Sequence, residues 1–203
     1  MKREEQLTHT HTAILQAARE QFLSQGYQAT STRDIAREVG ITQPALYHHF
    51  SDKEVIFLEV IKTVGAEIRT GLTRVNAQLA AMENPDPVDA LVQITEVLTA
   101  IHPRDVFTVI HSSFKYLKPE NKRQLGMVFG QDYVAPLQHF FELGIVTLQS
   151  DVAPQDAASF YLTSLSPLFN TFHHVGAADA SQHDQTVNLI RLILFGVAVK
   201  SQD

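Results

Sequence analysis

Apolar residues recur four apart at Ile14, Ala18 and Phe22, with Leu15 and Ala17 beside them, while Gln16, Arg19, Glu20 and Gln21 fall largely outside that stripe. The periodicity predicts an amphipathic helix from about Thr10 to Gln25, stopped at Gly26, a residue free to take the left-handed conformation a helix end favours. Ser31 suits the cap of a second helix, Asp34 stands three residues on to complete a capping box, and Ile35, Ala36 and Val39 form its inward face. Gly40 closes that helix, Thr42 caps a third, and Pro44 sits in its first turn, where a missing amide hydrogen costs nothing. The segment therefore reads as a three-helix unit whose last two members form a helix-turn-helix.

Beyond it the pattern stays helical. Asp52 caps a long helix running from Lys53 to about Leu79, with Val55, Leu58, Ile61, Ile68 and Leu72 assigned to its buried side and Gly65 and Gly71 read as places of close packing ahead of flex points. Such a helix is a natural lever between two parts of the molecule. Asp86 and Pro87 start another, which reaches Ile101 and breaks at His102-Pro103; the next runs to about Leu117, and a further one starts after Lys118-Pro119. Gly126, Gly130 and Pro136 predict two helical pieces meeting near Gln131, a kink that leaves room for a ligand. A segment from about Pro154 to His174 is interrupted by Pro167. From Ser181 to about Val199, apolar residues cover nearly the whole circumference, with Val187, Ile190, Leu194 and Val197 on one line and Leu189, Ile193 and Gly196 on another. A helix apolar all round is buried on every side, so a second subunit is expected to cover what this chain leaves bare. Nothing reads as a strand. The expected class is all-α, with a helix-turn-helix domain at residues 1–52 and a helical effector-binding and dimerisation domain at 53–203.

The polar residues of the helix-turn-helix give it a chemistry. Thr32, Thr42, Tyr47, His48, His49 and Lys53 offer hydroxyls, imidazoles and an ammonium to phosphate oxygens, with Ser31 at the head of the same helix. Arg33 and Gln43 have the fork and amide geometry that reads guanine and adenine edges, and Pro44 and Ala45 suit thymine methyls. The plainer reading makes Gly40 and Pro44 mere punctuation of a helical hairpin with a solvated histidine face.

Ser31-Thr32-Arg33-Asp34-Ile35-Ala36, Gly40-Ile41, Leu46-Tyr47-His48-His49-Phe50 and Asp52-Lys53-Glu54 together resemble the TetR family of bacterial transcriptional repressors over roughly residues 10 to 60. The resemblance implies a homodimer on a palindromic operator, with a recognition helix from Thr42 to His49. It also implies that Tyr47, Thr32 and Lys53 grip phosphates and that Gln43, Pro44, Ala45 and Arg33 approach bases. His48 stands where the family often has a bulky aromatic residue, so its role is less defined than that of Tyr47. The function implied is a ligand-responsive repressor whose two reading heads enter major grooves about one turn, roughly 34 to 36 Å, apart.

The charge does not advertise a nucleic-acid partner. The chain has 203 residues, 44% of them apolar, and a formal net charge of −6. Residues 1–55 hold six basic and seven acidic side chains, so most of the acidity lies beyond them. Affinity for DNA is accordingly expected to rest on a fitted site rather than a broad positive field. An N-terminal arm with Lys2, Arg3, His9 and His11 reads either as a source of phosphate contacts or as a frayed tail.

With no cysteine there is no disulfide framework and no thiolate site. No run of eighteen apolar residues occurs, and Met1 to Gln6 is too charged to open a signal peptide, so a cytoplasmic protein with no membrane partner is expected. A glycine-rich phosphate loop, a Gly-x-Ser-x-Gly elbow and paired carboxylates are all missing from the sequence, so neither an enzymatic activity nor a cofactor is expected. Phe107, His111, Phe114, Phe129, Tyr133 and Phe140 are spaced to line a cavity for an apolar or aromatic effector, although each also reads as ordinary core. The alternative function is a metal- or small-molecule-binding helical protein with a vestigial DNA-binding head, its metal drawn from His102, His111, His139 and His173. Adjacent histidine pairs chelate one ion poorly, and no metal site is assigned.

Overall fold

The structure, a computed structural model, describes residues 3–102, 104–169, 175–177 and 179–196, without the side chains of Arg3, Val106 and Phe107. In chain order the helices are α1 Arg3–Gln25, α2 Thr32–Val39, α3 Gln43–His49, α4 Lys53–Ala80, α5 Pro87–Ile101, α6 Val106–Phe114, α7 Pro119–Phe129, α8 Ala135–Glu142, α9 Pro154–Ser164 and α10 Gln182–Phe195. A π-helical turn, Gly130–Val134, lies between α7 and α8, and a 3-10 turn, Ser166–Phe169, follows α9. The described residues contain no strand. They pack as two compact units, one of residues 1–66 with 108–129, the other of 67–107 with 130–203.

The first unit is built by local signals that work as expected. Ser31 caps α2 by accepting the Asp34 amide at 3.1 Å, and its hydroxyl donates back to the Asp34 carboxylate at 2.5 Å. That is a variant of the capping box in which the acid receives the hydroxyl proton rather than the backbone N–H of the cap residue. Thr42 caps α3 by accepting the Ala45 amide at 3.3 Å. Gly40, at φ 75°, supplies the left-handed residue between the two helices. Behind them Phe22 is fully buried, packed edge-on to Phe57 with centroids 5.1 Å apart. Segment 108–129 joins this unit through polar ties: Tyr116 donates to Gln28 at 2.6 Å, Lys118 to Asp52 at 2.9 Å, and Asn121 to Glu54 at 2.5 Å.

Two expectations for this unit need correction. α1 begins at Arg3, not near Thr10. Its first turns carry no apolar periodicity to read; Thr8, Thr10 and Thr12 donate to the carbonyls four residues back, so helix continues as an exposed polar rod. Val55, expected inside, is 36% exposed, because the inward stripe of α4 begins at Ile56 and Phe57.

In the second unit α10 packs on α5 and α8 on α9. The predicted break near Gln131 is the π-helical turn: Pro136 has no amide hydrogen for the carbonyl four residues earlier, so the helix winds wide before α8 begins. Asn76 then donates to the Pro136 carbonyl at 2.8 Å. Fully buried Tyr161 donates to the Leu91 carbonyl at 3.0 Å and lies 2.5 Å from the Thr95 hydroxyl. α10 ends at Gly196, φ 75°, short of the expected Val199; residues 197–203, Phe172 and His173 lie outside the described set.

Gly71 confirms the packing assignment. A Cβ built there would fall 2.6 Å from Cγ1 of Val97 on α5, a stiff β-branched side chain. Gly71→Ala is expected to destabilise the protein by about 1 to 3 kcal/mol through overpacking, although alanine is the better helix former. Urea melts check this, and a stabilised variant would show that the two helices separate freely.

Candidate nucleic-acid interface

Among the candidate DNA contacts, the structure joins three through one buried hydroxyl. Thr32, first residue of α2 and 7% exposed, accepts from the Gln43 amide at 3.0 Å and lies 3.0 Å from the Tyr47 hydroxyl. Gln43 opens α3, and Tyr47 stands one turn later. The hydroxyl thus ties the expected base reader and the expected phosphate ligand to the preceding helix, setting both before any partner arrives. Thr32 itself offers little surface to a phosphate.

Leu46, fully buried, and Phe50, 2% exposed, anchor the inner side of α3. Tyr47 and His48 stay exposed on the outer side, as do Thr42 and Pro44, with Ala45 and His49 half-buried. Arg33 is exposed on α2, where Arg33, Arg37 and Gln43 help to line a hollow of about 620 Å³. Arg37 pairs with Asp34 at 2.7 Å. The hydroxyl bond from Ser31, followed by the charges of Arg37 and Arg33, holds the Asp34 carboxyl below its usual range.

Lys53 departs from the simple picture of a phosphate-seeking cation. Its ammonium sits 4.3 Å above the centre of the Tyr27 ring, and burial lowers its pKa. Tyr27 is pushed up to about 12, first by burial and then by Glu54 and Asp52. Stacking of this kind holds the stem of Lys53 in place at the first turn of α4.

His11 was hidden in the sequence as part of a basic arm. It stacks on Phe50 with centroids 4.5 Å apart and planes 20° apart, and its ring centre lies 6.2 Å from that of His49. The signal available in sequence was its position one turn before Ile14 and Leu15, on the edge of the apolar stripe of α1.

The candidate effector residues are not gathered in one unit. His111, Phe114 and Phe129 belong to the first, His111 exposed and the two rings half-buried; Phe107, Tyr133 and Phe140 belong to the second. Tyr133 and Phe140 are fully buried core residues, and the side chain of Phe107 lies outside the described set. Equal spacing along helices does not make residues face one void, and the wide π turn at Gly130–Val134 breaks the helical phase on which that spacing depends. A cavity of about 380 Å³ in the second unit is lined by Leu91, Phe141, Val146, Phe160, Tyr161 and Leu194, among others.

Of the histidines considered for metal, His173 lies outside the described residues. Buried His102 bonds to the Tyr133 hydroxyl at 2.7 Å, His139 lies 3.7 Å from Glu142, and His111 belongs to the other unit. Among the described residues no group of three or more histidine, cysteine or acidic side chains is placed to hold a metal ion.

A family model described as bacterial regulatory proteins, tetR family, matches residues 14–60, which run from α1 through α2 and α3 into α4. Residues 14–60 therefore match the tetR-family DNA-binding region. The chain is 29% identical over 113 residues to the HTH-type transcriptional repressor BepR of Brucella suis, a match covering 53% of the chain and 52% of BepR. It is 32% identical over 99 residues to the HTH-type transcriptional repressor AcnR of Corynebacterium diphtheriae, covering 46% of the chain and 52% of AcnR. The chain thus spans about half the length of these curated relatives. In fold it resembles AibR, solved in complex with isovaleryl coenzyme A and operator DNA, with a TM-score of 0.65, 20% identity, and coverage of 91% of this chain and 98% of AibR. No helix among the described residues is long and apolar enough to cross a membrane.

Proposed function

We propose that this protein is a dimeric transcriptional repressor that binds a palindromic operator and is released from it by a small-molecule effector. The observation that carries the reading is the pre-set α2–α3 pair, in which Thr32 holds Gln43 and Tyr47 on a recognition helix whose outer side is polar and whose inner side is anchored by Leu46. Residues 1–52 form the reading head. Gln43, Arg33, Pro44 and Ala45 meet base edges; Tyr47, Thr42, His48, His49 and Lys53 meet phosphates, with Ser31 and Thr32 setting the helix that presents them. Catalysis has no part in this role, and its place is the cytoplasm, where the DNA is.

Residues 53–203 carry effector binding and dimerisation. An apolar effector is supported by the cavity beside Phe160 and Tyr161, whose volume lies in the range of small-molecule sites. Dimerisation is supported by the apolar side chains left uncovered on α9 and α10: Phe160 is 61% exposed, Leu192 41% and Phe195 69%. The effector shifts the equilibrium only by its difference in affinity between DNA-competent and released states, and α4, which contributes residues to both units, is one covalent route between them.

Selection of bound sites from random duplex DNA, at a stated salt concentration, tests the reading. A palindrome with half-sites about one helical turn apart is expected. Recovery of no enriched sequence by a well-folded dimer would sink it.

A further inference from the structure

We infer that His49 of α3, set beside the His11 ring of α1, couples the end of the recognition helix to protonation, so that operator binding takes up a proton and strengthens as pH falls. The inference rests on the DNA-binding reading above. His11 lies flat on Phe50, the residue that ends α3 and whose amide donates to the Leu46 carbonyl at 3.1 Å. It therefore bears directly on the turn that carries His48 and His49. The groups facing the pair are His48 on α3 and Glu59 on α4, whose carboxylate stands 3.6 Å from Nε2 of His11.

In the free protein the imidazoles oppose one another's charge. Burial first, then the charges of His11 and His48, hold His49 below the ordinary histidine range. A phosphate beside the half-buried His49 reverses the balance, because the anion favours the imidazolium. The bound state then holds a proton that the free state lacks, and by linkage affinity rises as pH falls through the histidine range. Stability of the free protein moves the other way. A folded-state pKa below the unfolded one means that the unfolded chain takes up the proton more readily, so stability is lost as pH falls from above the unfolded value through the folded one.

The opposite signs make the test selective. Operator affinity, read by fluorescence anisotropy at constant ionic strength, is expected to rise about tenfold from about pH 7.5 to about pH 6, while the melting temperature of the DNA-free protein falls. His11→Phe keeps a flat ring on Phe50 but removes the imidazole charge that helps to hold His49 low, and its affinity profile is expected to lose about half of the slope. His49→Gln makes the same comparison from the other side should His11→Phe melt early. A His11→Phe profile that superimposes on the wild type would reduce His11 to packing and overturn the inference. Failure of the folded wild-type protein to bind the selected operator at any of these pH values would instead remove the DNA-binding reading, and the inference with it.

Discussion

Thr32→Val is expected to weaken operator binding by about ten- to hundredfold while costing the fold only about 1 kcal/mol. Valine keeps the shape of a side chain that is 7% exposed, so α2 retains its packing. What disappears is the hydroxyl that accepts from Gln43 and contacts Tyr47, each at 3.0 Å. Both partners are exposed enough for water to replace the lost bonds, which keeps the stability cost low. The operator, however, must then order two mobile side chains at about 0.5 to 1.5 kcal/mol each. Gln43→Ala alone is expected to cost about 1 to 3 kcal/mol of specific binding and to relax preference at one base pair. Because Thr32 acts partly through Gln43, the double variant should lose less than the two single losses combined. The measurement is operator and non-specific anisotropy on all three variants. If Thr32→Val leaves affinity and sequence preference intact, the hydroxyl is no positioning device.

Phe160→Glu combined with Leu192→Glu is expected to convert a dimer to a monomer at micromolar concentration and to lower operator affinity by about 10² to 10⁴. Both side chains stand out from the second unit, 61% and 41% exposed, as does Phe195 at 69%. Large apolar groups held in water on two helices that border one cavity are the material of a subunit interface, and a two-fold interface places each substitution in it twice. Charges there face their own copies across the axis, with desolvation added to repulsion. Within one subunit the same substitutions bury nothing new, so a monomer should melt close to the wild-type subunit. Loss of the second reading head turns one tethered binding event into two independent ones, which accounts for the size of the DNA effect. Light scattering decides the first part and anisotropy the second; a double variant that remains dimeric would place the interface elsewhere.

Legibility in the sequence followed the range of the interactions. Ser31, Gly40, Thr42 and Pro44 signal through bonds or backbone angles within four residues of themselves, and each boundary they marked appears where it was expected. Pro136 likewise announced the break that became the π turn. The start of α1 was not legible because its first turns have no apolar stripe. The packing of the candidate effector residues was not legible either: Phe107, Tyr133 and Phe140 fall in one unit and His111, Phe114 and Phe129 in the other, yet they are similar in type and helical spacing, and nothing local distinguishes a core ring from a cavity wall.

By itself, then, the sequence determined an all-helical chain and a helix-turn-helix head with its cap, turn and outward polar residues, because those features depend on spacing, capping and φ preferences that neighbouring residues set. Only the tertiary structure decided that Thr32 is the hub for Gln43 and Tyr47, that Lys53 rests on Tyr27, that His11 lies on Phe50, and that segment 108–129 packs with the first unit. Each of these pairs residues 11 or more positions apart, or assigns a distant segment to a unit, and such contacts are selected by the competition of all faces for burial rather than by any local signal.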